Sequence, residues 1–270
     1  MKAYITLLSN DKYLDGVLVL QRVLSGLRSK YPLYCLLSQS VDDTLENRLK
    51  GNGIQYIRLN RSTVEEQANL SGHFFSHWNY TFDKLQVWGL TQFEKLVFLD
   101  SDMLILRNLD SLFDCEPFSA VCAGASVPGR ESWTDLNSGL MVIRPNKMIE
   151  EGLMKLCRSV IIEFKQAGWS VGDQDVIHRF FPEWKDKSVL HLDEGYNMFA
   201  DDLTYYIRHL GYSLTSDSSK KTISVVHFIG KFKPWMKLTP RKRFWLLYTW
   251  IRNPYYYTAY KLFRSYLSEK

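Results

Sequence analysis

Two aspartates one residue apart, Asp100-Ser101-Asp102, follow the apolar run Lys95-Leu-Val-Phe-Leu99 without interruption. Carboxylate oxygens are hard ligands. A pair of them at a strand end can hold Mg²⁺ or Mn²⁺, and a cation there can bridge two phosphates and neutralise a departing diphosphate. Asp-X-Asp is also a common acidic turn, so the pair gains weight only from its surroundings. His227 closes a second apolar run, 223–226, and would also sit at a strand end, where a lone histidine is more often structural. Asp173 opens a helical segment, and a carboxylate there is favourable to the helix dipole without any catalysis.

The elements that must position these groups are legible from periodicity. Residues 3–8, 33–38, 54–59 and 95–99 are short β-rich runs, and helical patterns separate the first three. Between Gly16 and Leu27, Val17, Leu20, Val23, Leu24 and Leu27 share one helical face, as a crossover packed on a sheet requires. Alternation of this kind predicts a single α/β domain, Rossmann-like, with a mixed, mostly parallel sheet that binds ligands beyond its carboxyl edge. Further strands are expected over 120–123, 139–143, 188–192 and 223–228. Helices are expected over 42–51, 82–92, 146–167 and 173–181, with 60–80 and 194–222 left as loops.

Composition narrows the function classes. With 270 residues and 46% hydrophobic residues the chain can bury a large core, which excludes disorder as its main character. Eight lysines and arginines against one glutamate fall in 236–270, so the tail holds the net positive charge and the first 235 residues are slightly acidic. That balance argues against nucleic-acid binding by the body. Cys35, Cys115, Cys122 and Cys157 form no metal or disulfide spacing, and the apolar run at 3–8 is too short for a signal peptide, so a cytoplasmic location is expected. The sequons at Asn60, Asn69 and Asn79 carry no weight in that setting.

The stretch from Thr81 to Phe113, TFDKLQVWGLTQFEKLVFLDSDMLILRNLDSLF, closely resembles the central block of the glycogenin-like glycosyltransferases. Three more blocks match in order: Asn137-Ser138-Gly139, Gly172-Asp173-Gln174-Asp175, and His227-Phe-Ile-Gly230-Lys-Phe-Lys233-Pro234-Trp235. The resemblance spans roughly residues 3–235. It implies a GT-A domain over 1–235 with a basic, aromatic helical extension over 236–270, and a retaining, Mn²⁺-dependent transfer of a hexose, glucose first, from a UDP-sugar to a hydroxyl. Asp100, Asp102 and His227 match the metal ligands, a mixed carboxylate and imidazole set that favours Mn²⁺ over Mg²⁺. Leu7, Ser9, Asn10 and Tyr13 lie in the turn that resembles the uridine site. Tyr13 could stack on the base, although Asn10 could equally cap a helix. Ser101 matches a donor contact, Gly230 and Lys233 match the diphosphate grip, and Asn137 and Ser138 match the motif facing the transferred sugar. Lys84, Asp173 and Gln174 complete the expected reaction centre. Asp173 is the better nucleophile candidate if a covalent intermediate forms.

Several positions depart from glycogenins. Ser170 stands where they carry an aspartate, Phe75 falls where an arginine is expected, and Thr204, beside Tyr205 and Tyr206, occupies the place of the self-modified tyrosine. The acceptor therefore stays open between the protein itself and an external glycan or glycolipid. Residues 241–267 mix cations and aromatic rings in a pattern suited to peripheral contact with the cytoplasmic face of a membrane, or to helices packed on the body or on a homodimer partner. A nucleotidyltransferase would need a Gly-rich phosphate loop after the first strand, which Leu7-Leu-Ser-Asn10 lacks. A noncatalytic sugar-nucleotide binder would be expected to lose metal ligands first, and all three positions are present.

Overall fold

The computed structural model describes residues 1–59, 81–215 and 217–268. Asn60, Asn69, Asn79, Phe75 and the expected loop over 60–80 lie outside the described residues. From the N-terminus, β1 (Lys2–Leu8), α1 (Leu14–Gly26), β2 (Leu33–Leu37), α2 (Asp43–Gly51) and β3 (Gln55–Arg58) alternate as the periodicity predicts. There follow β4 (Lys95–Leu99), β5 (Met103–Ile105), β6 (Ala120–Val121) and β7 (Asn137–Ile143), and the large sheet has the order β3-β2-β1-β4-β7-β6. The first four strands in that order are parallel, whereas β7 runs antiparallel to both of its neighbours. The chain therefore reverses its direction of strand addition between β1 and β4, which opens a crevice at their carboxyl ends.

Period-two alternation gives β4 two buried faces. Val97 and Leu99 join one core with Tyr4, Leu140 and Val142, while Leu96 and Phe98 join the opposite core with Ala3, Ile5, Met141 and Ile143. Each such side chain contributes about 1.5–3 kcal/mol on full burial. A one-residue slip would exchange every side chain between the two cores, so the register is strongly specified.

The second half adds α3 (Lys147–Gln166), α4 (Asp173–Phe180), β8 (Met198–Phe199), α5 (Leu203–His209), β9 (Tyr212–Ser213), β10 (Lys221–Thr222) and β11 (Val225–His227). Two terminal helices, α6 (Pro240–Arg252) and α7 (Pro254–Ser268), close the described chain, and Tyr256, Ala259, Tyr260 and Phe263 of α7 lie in the core that holds α1. No helix among the described residues is long and apolar enough to cross a membrane.

Three expectations change. The helix over 82–92 is a 3₁₀ helix, Thr81–Gly89. Phe82, Leu85 and Trp88 recur every third residue, which is the 3₁₀ period, and residues 82–88 are all buried, so no amphipathic stripe is needed. The strand over 188–192 is instead a 3₁₀ turn, Ser188–Leu190, with a lone bridge from His191 to Ala120; Val189 is exposed, so the apolar run has no core to pair into. Within 194–222 the chain forms α5 and three short strands, β8, β9 and β10, rather than a loop.

Candidate active site

Asp100-Ser101-Asp102 forms the turn between β4 and β5 at the mouth of the crevice. β5 pairs antiparallel with β11 so that Met103 lies opposite His227, and the Phe228 N–H donates to the Asp102 carbonyl at 3.0 Å. This pairing brings together groups 125 residues apart in sequence. His227 Nε2 stands 3.1 Å from Asp102 Oδ1 and 3.7 Å from Asp100 Oδ2, and one ligand atom from each residue falls within 4.8 Å of the others. Two hard oxygens and one imidazole nitrogen at that spacing fit a divalent cation such as Mn²⁺.

Two buried lysines balance the acidic turn. Lys233 Nζ contacts Asp102 Oδ2 at 2.6 Å and donates to the Phe228 carbonyl at 2.7 Å. Lys84 Nζ lies 3.0 Å from both Asp100 Oδ1 and Asp173 Oδ2. Burial opposes the charge on Asp102, but His227 and Lys233 outweigh it and hold the carboxyl well below its ordinary range. Asp100 shifts the other way, raised by burial and by the neighbouring Asp102 charge against the pull of Lys84. The two carboxylates thus differ through their partners, although one residue separates them.

The reaction-centre candidates form one hydrogen-bonded group on β7 and the first turn of α4. Ser138 Oγ donates to Asp173 Oδ2 at 2.7 Å, so both contacts of that carboxylate with Lys84 and Ser138 fall on Oδ2. Gln174 Oε1 accepts from Asn137 Nδ2 and from the Ser138 N–H, each at 3.1 Å. Asp173 also occupies the helix N-terminus, so the structural role and the site position coincide.

On the donor side, Asn10 Oδ1 accepts from the Lys12 N–H at 3.1 Å and caps the short 3₁₀ turn Asp11–Tyr13, while its Nδ2 reaches Ser9 Oγ at 3.4 Å. Tyr13 packs edge-on against Trp235 at 5.6 Å between centroids, and Trp235 Nε1 donates to the Lys12 carbonyl at 2.6 Å. The N-terminal turn is therefore tied to the 228–235 segment that carries Gly230 and Lys233. Leu7 is half-buried on β1 opposite Leu36, and Ser101 is buried in the acidic turn.

Sequence reasoning missed residues whose roles depend on long-range approach. A β-carbon at Gly16 would stand 2.1 Å from the Ser101 carbonyl oxygen, so the bare helix face of α1 is what lets the acidic turn sit down. A β-carbon at Gly139 would lie 2.6 Å from His227 Cε1. Lys242 of α6, buried, donates to the carbonyls of Lys233 and Met236 at 2.8 and 2.7 Å, linking the tail to the segment that carries Gly230 and Lys233. Asn197 is fully buried and bonds to His227 Nδ1 at 2.9 Å. We expect Gly16→Ala to destabilise the fold by about 1–3 kcal/mol and to weaken Mn²⁺ binding, read by thermal unfolding and electron paramagnetic resonance; unchanged values in both would remove the helix from the site.

The reversed sheet order, the acidic turn at the switch point and the imidazole beside it define a glycosyltransferase of the GT-A fold. The chain belongs to glycosyltransferase family 8: residues 4–239 match the profile described as Glycosyl transferase family 8. It is 32% identical over 236 residues to glycogenin-1 of Homo sapiens, covering 87% of this chain, and 34% identical over 236 residues to glycogenin-1 of Caenorhabditis elegans. The chain spans only 62% and 51% of the length of those two relatives. The fold is similar to that of the galactosyltransferase LgtC, solved with donor and acceptor sugar analogs, with a TM-score of 0.65 at 16% identity over 99% of this chain and 95% of that one.

Proposed function

We propose that the chain transfers a hexose, glucose first among the candidates, from a UDP-sugar to a hydroxyl of an external glycan or glycolipid with retention of configuration. The observation that carries this reading is the convergence of Asp100, Asp102 and His227 within 4.8 Å at the mouth of the crevice, flanked by two buried lysines. Asp100, Asp102 and His227 would hold Mn²⁺, which when bound neutralises the diphosphate. Lys233 donates to the diphosphate and Gly230 admits it close to the backbone. Ser9, Asn10 and Tyr13 bind the uridine, with Leu7 and Ser101 lining that side. Asn137 and Ser138 orient the sugar. Asp173, locked on Oδ2 by Lys84 and Ser138, offers Oδ1 to positive charge developing on the ring, and Gln174 fixes the Asn137 amide.

The acceptor side supports an external substrate over self-glucosylation. Tyr206 is fully buried with its hydroxyl bonded to Glu194, and Thr204 Oγ1 donates to Asn253 Oδ1 at 2.5 Å. Neither of these hydroxyls is offered to a sugar, which leaves Tyr205, half-buried against Tyr206 and His209, as the one tyrosine of the group for the mass measurement to test. From His227 the wall of the site passes to Phe199, 5.9 Å between ring centroids, and on to Gly124, beside the exposed ring of Trp133. Arg130 covers Trp133 at 4.6 Å and is anchored by Asp202 at 2.6 and 3.1 Å, which gives a fixed aromatic surface suited to a sugar's C–H face. Incubation with Mn²⁺ and UDP-glucose or UDP-galactose, followed by UDP release and intact mass, tests the reading. Metal-dependent UDP release without hexose added to the protein is expected. Mass gain in hexose steps would make the protein its own acceptor, and no metal-dependent binding or turnover with any donor would sink the transferase.

We further propose a peripheral membrane contact through α6, whose outward face exposes Phe244, Leu247, Tyr248, Trp250 and Ile251 among Arg241, Arg243 and Arg252. Apolar rings ringed by cations match an anionic bilayer surface. Co-sedimentation with phosphatidylglycerol vesicles but not with neutral ones is expected. Self-association in solution without vesicle binding would give the face to a homodimer instead.

The donor segment should also respond to pH through Lys242. Burial, followed by Arg264, pulls its ammonium down to about 8. The folded state binds this proton more weakly than the unfolded chain, so stability climbs as pH rises from about 8 toward the free-lysine value. Over the same range the carbonyls of Lys233 and Met236 lose a charged donor. We expect the donor KM to rise several-fold between pH 7.5 and 9.5, and Lys242→Met to show the high KM at both pH values.

A further inference from the structure

The imidazole of His227 can serve as a ligand through Nε2 only if its proton sits on Nδ1, and the structure contains a chain of contacts that dictates this. Asn137 Oδ1 lies 3.0 Å from the Gly139 backbone N–H, which can only donate. The Asn137 atom there must therefore be the oxygen. The same oxygen stands 2.8 Å from the Asn197 side chain, so the Asn197 atom facing it must be the amide nitrogen. That leaves Asn197 Oδ1, 2.9 Å from His227 Nδ1, as an acceptor, and Nδ1 must carry the proton.

A second backbone group fixes the other end independently. The Ser138 N–H, also an obligate donor, assigns the oxygen of Gln174 at 3.1 Å, and this oxygen in turn requires the nitrogen of Asn137 at 3.1 Å. Both anchors give Asn137 the same orientation. Asn197 is fully buried and His227 nearly so, so no water competes for these atoms and an inverted amide would place two acceptors face to face.

We infer that Asn197 is a positioning residue that sets the tautomer of His227, and that the backbone N–H groups of Gly139 and Ser138 impose this polarity through Asn137. With Nδ1–H committed to Asn197, Nε2 is the nitrogen left to face Asp102 Oδ1 at 3.1 Å: it donates there while the ring is protonated and presents its lone pair on the ligand side once that proton leaves. The relay rests on the proposed metal site for its purpose. Its geometry is a property of the protein alone.

The test records long-range ¹H–¹⁵N spectra of the imidazoles in the metal-free full chain at pH 9, with Mn²⁺ affinity measured separately by electron paramagnetic resonance. Wild type is expected to show His227 with Nδ1 protonated and Nε2 unprotonated. Asn197→Leu should lose that single tautomer and bind Mn²⁺ about 10- to 100-fold more weakly. Asn137→Asp loses the donor to Gln174 but should keep the tautomer, because its other carboxylate oxygen still accepts from both Gly139 and Asn197; it serves if the leucine variant fails to fold. A wild-type proton on Nε2, or an unchanged tautomer in Asn197→Leu, overturns the relay. The expected wild-type tautomer in a chain that binds no Mn²⁺ upholds the relay and removes the metal reading.

Discussion

Asp102→Asn is expected to lower metal-dependent UDP release by about 10³-fold, the upper range for removing one preorganised electrostatic contact. The amide matches the carboxylate in shape, and the Asp102 carbonyl keeps its bond from the Phe228 N–H. What is lost is the charge that faces both His227 Nε2 at 3.1 Å and Lys233 Nζ at 2.6 Å. The ligand set falls to one carboxylate and one imidazole. Lys233 keeps the Phe228 carbonyl at 2.7 Å, so the donor segment remains in place and the donor KM should change less than kcat. Circular dichroism and a cooperative melt establish that the variant is folded. Turnover within tenfold of wild type in a folded variant would show that Asp102 carries no metal-dependent chemistry.

The parts of this site that sequence made visible are those whose signal is local. Asp100 and Asp102 stand out because an uninterrupted apolar strand ends on them, and alternating elements place that end at a ligand-binding edge. His227 needed the matching block around it, since its approach to the aspartates is created by β5–β11 pairing across more than a hundred residues. Asn197 had no local mark. It adjoins β8, a strand of two residues, and its contact with His227 arises from pairing Phe199 with His227. Gly16 reads in sequence only as a weak helix residue, and the acidic turn beside it comes from elsewhere in the chain. The tail was legible in composition, yet its polar contacts with the 228–236 segment come from Lys242, turned inward on α6 while Arg241 and Arg243 stay exposed, and from Arg264 of α7, which donates to the Pro234 carbonyl at 2.9 Å. The failure at 82–92 is different in kind: spacings of three and four residues are hard to separate over nine residues of which the central seven are buried on every side.

Lys84→Met tests whether the buried charges of the reaction centre act as a unit. Lys84 Nζ lies 3.0 Å from Asp100 Oδ1 and from Asp173 Oδ2, 3.3 Å from Ser138 Oγ and 4.9 Å from the Phe98 ring centroid. Burial alone would strip its proton, but the two carboxylates outweigh burial and hold the ammonium well above the usual lysine range. Methionine fills most of the volume and removes the charge, leaving two carboxylates with an uncompensated repulsion. Breaking a buried pair from one side costs about 3–5 kcal/mol, which for a chain of this size corresponds to a fall in Tm of about 10 °C. Turnover should drop at least about 10²-fold as Asp100 and Asp173 lose their common anchor. The double variant Lys84→Met, Asp173→Asn removes the stranded charge as well, so it should recover part of the lost stability while remaining inactive. Additive losses in the double variant would mean that Lys84 and Asp173 do not share an interaction, and the charge network drawn through Asp100, Lys84 and Asp173 would have to be redrawn.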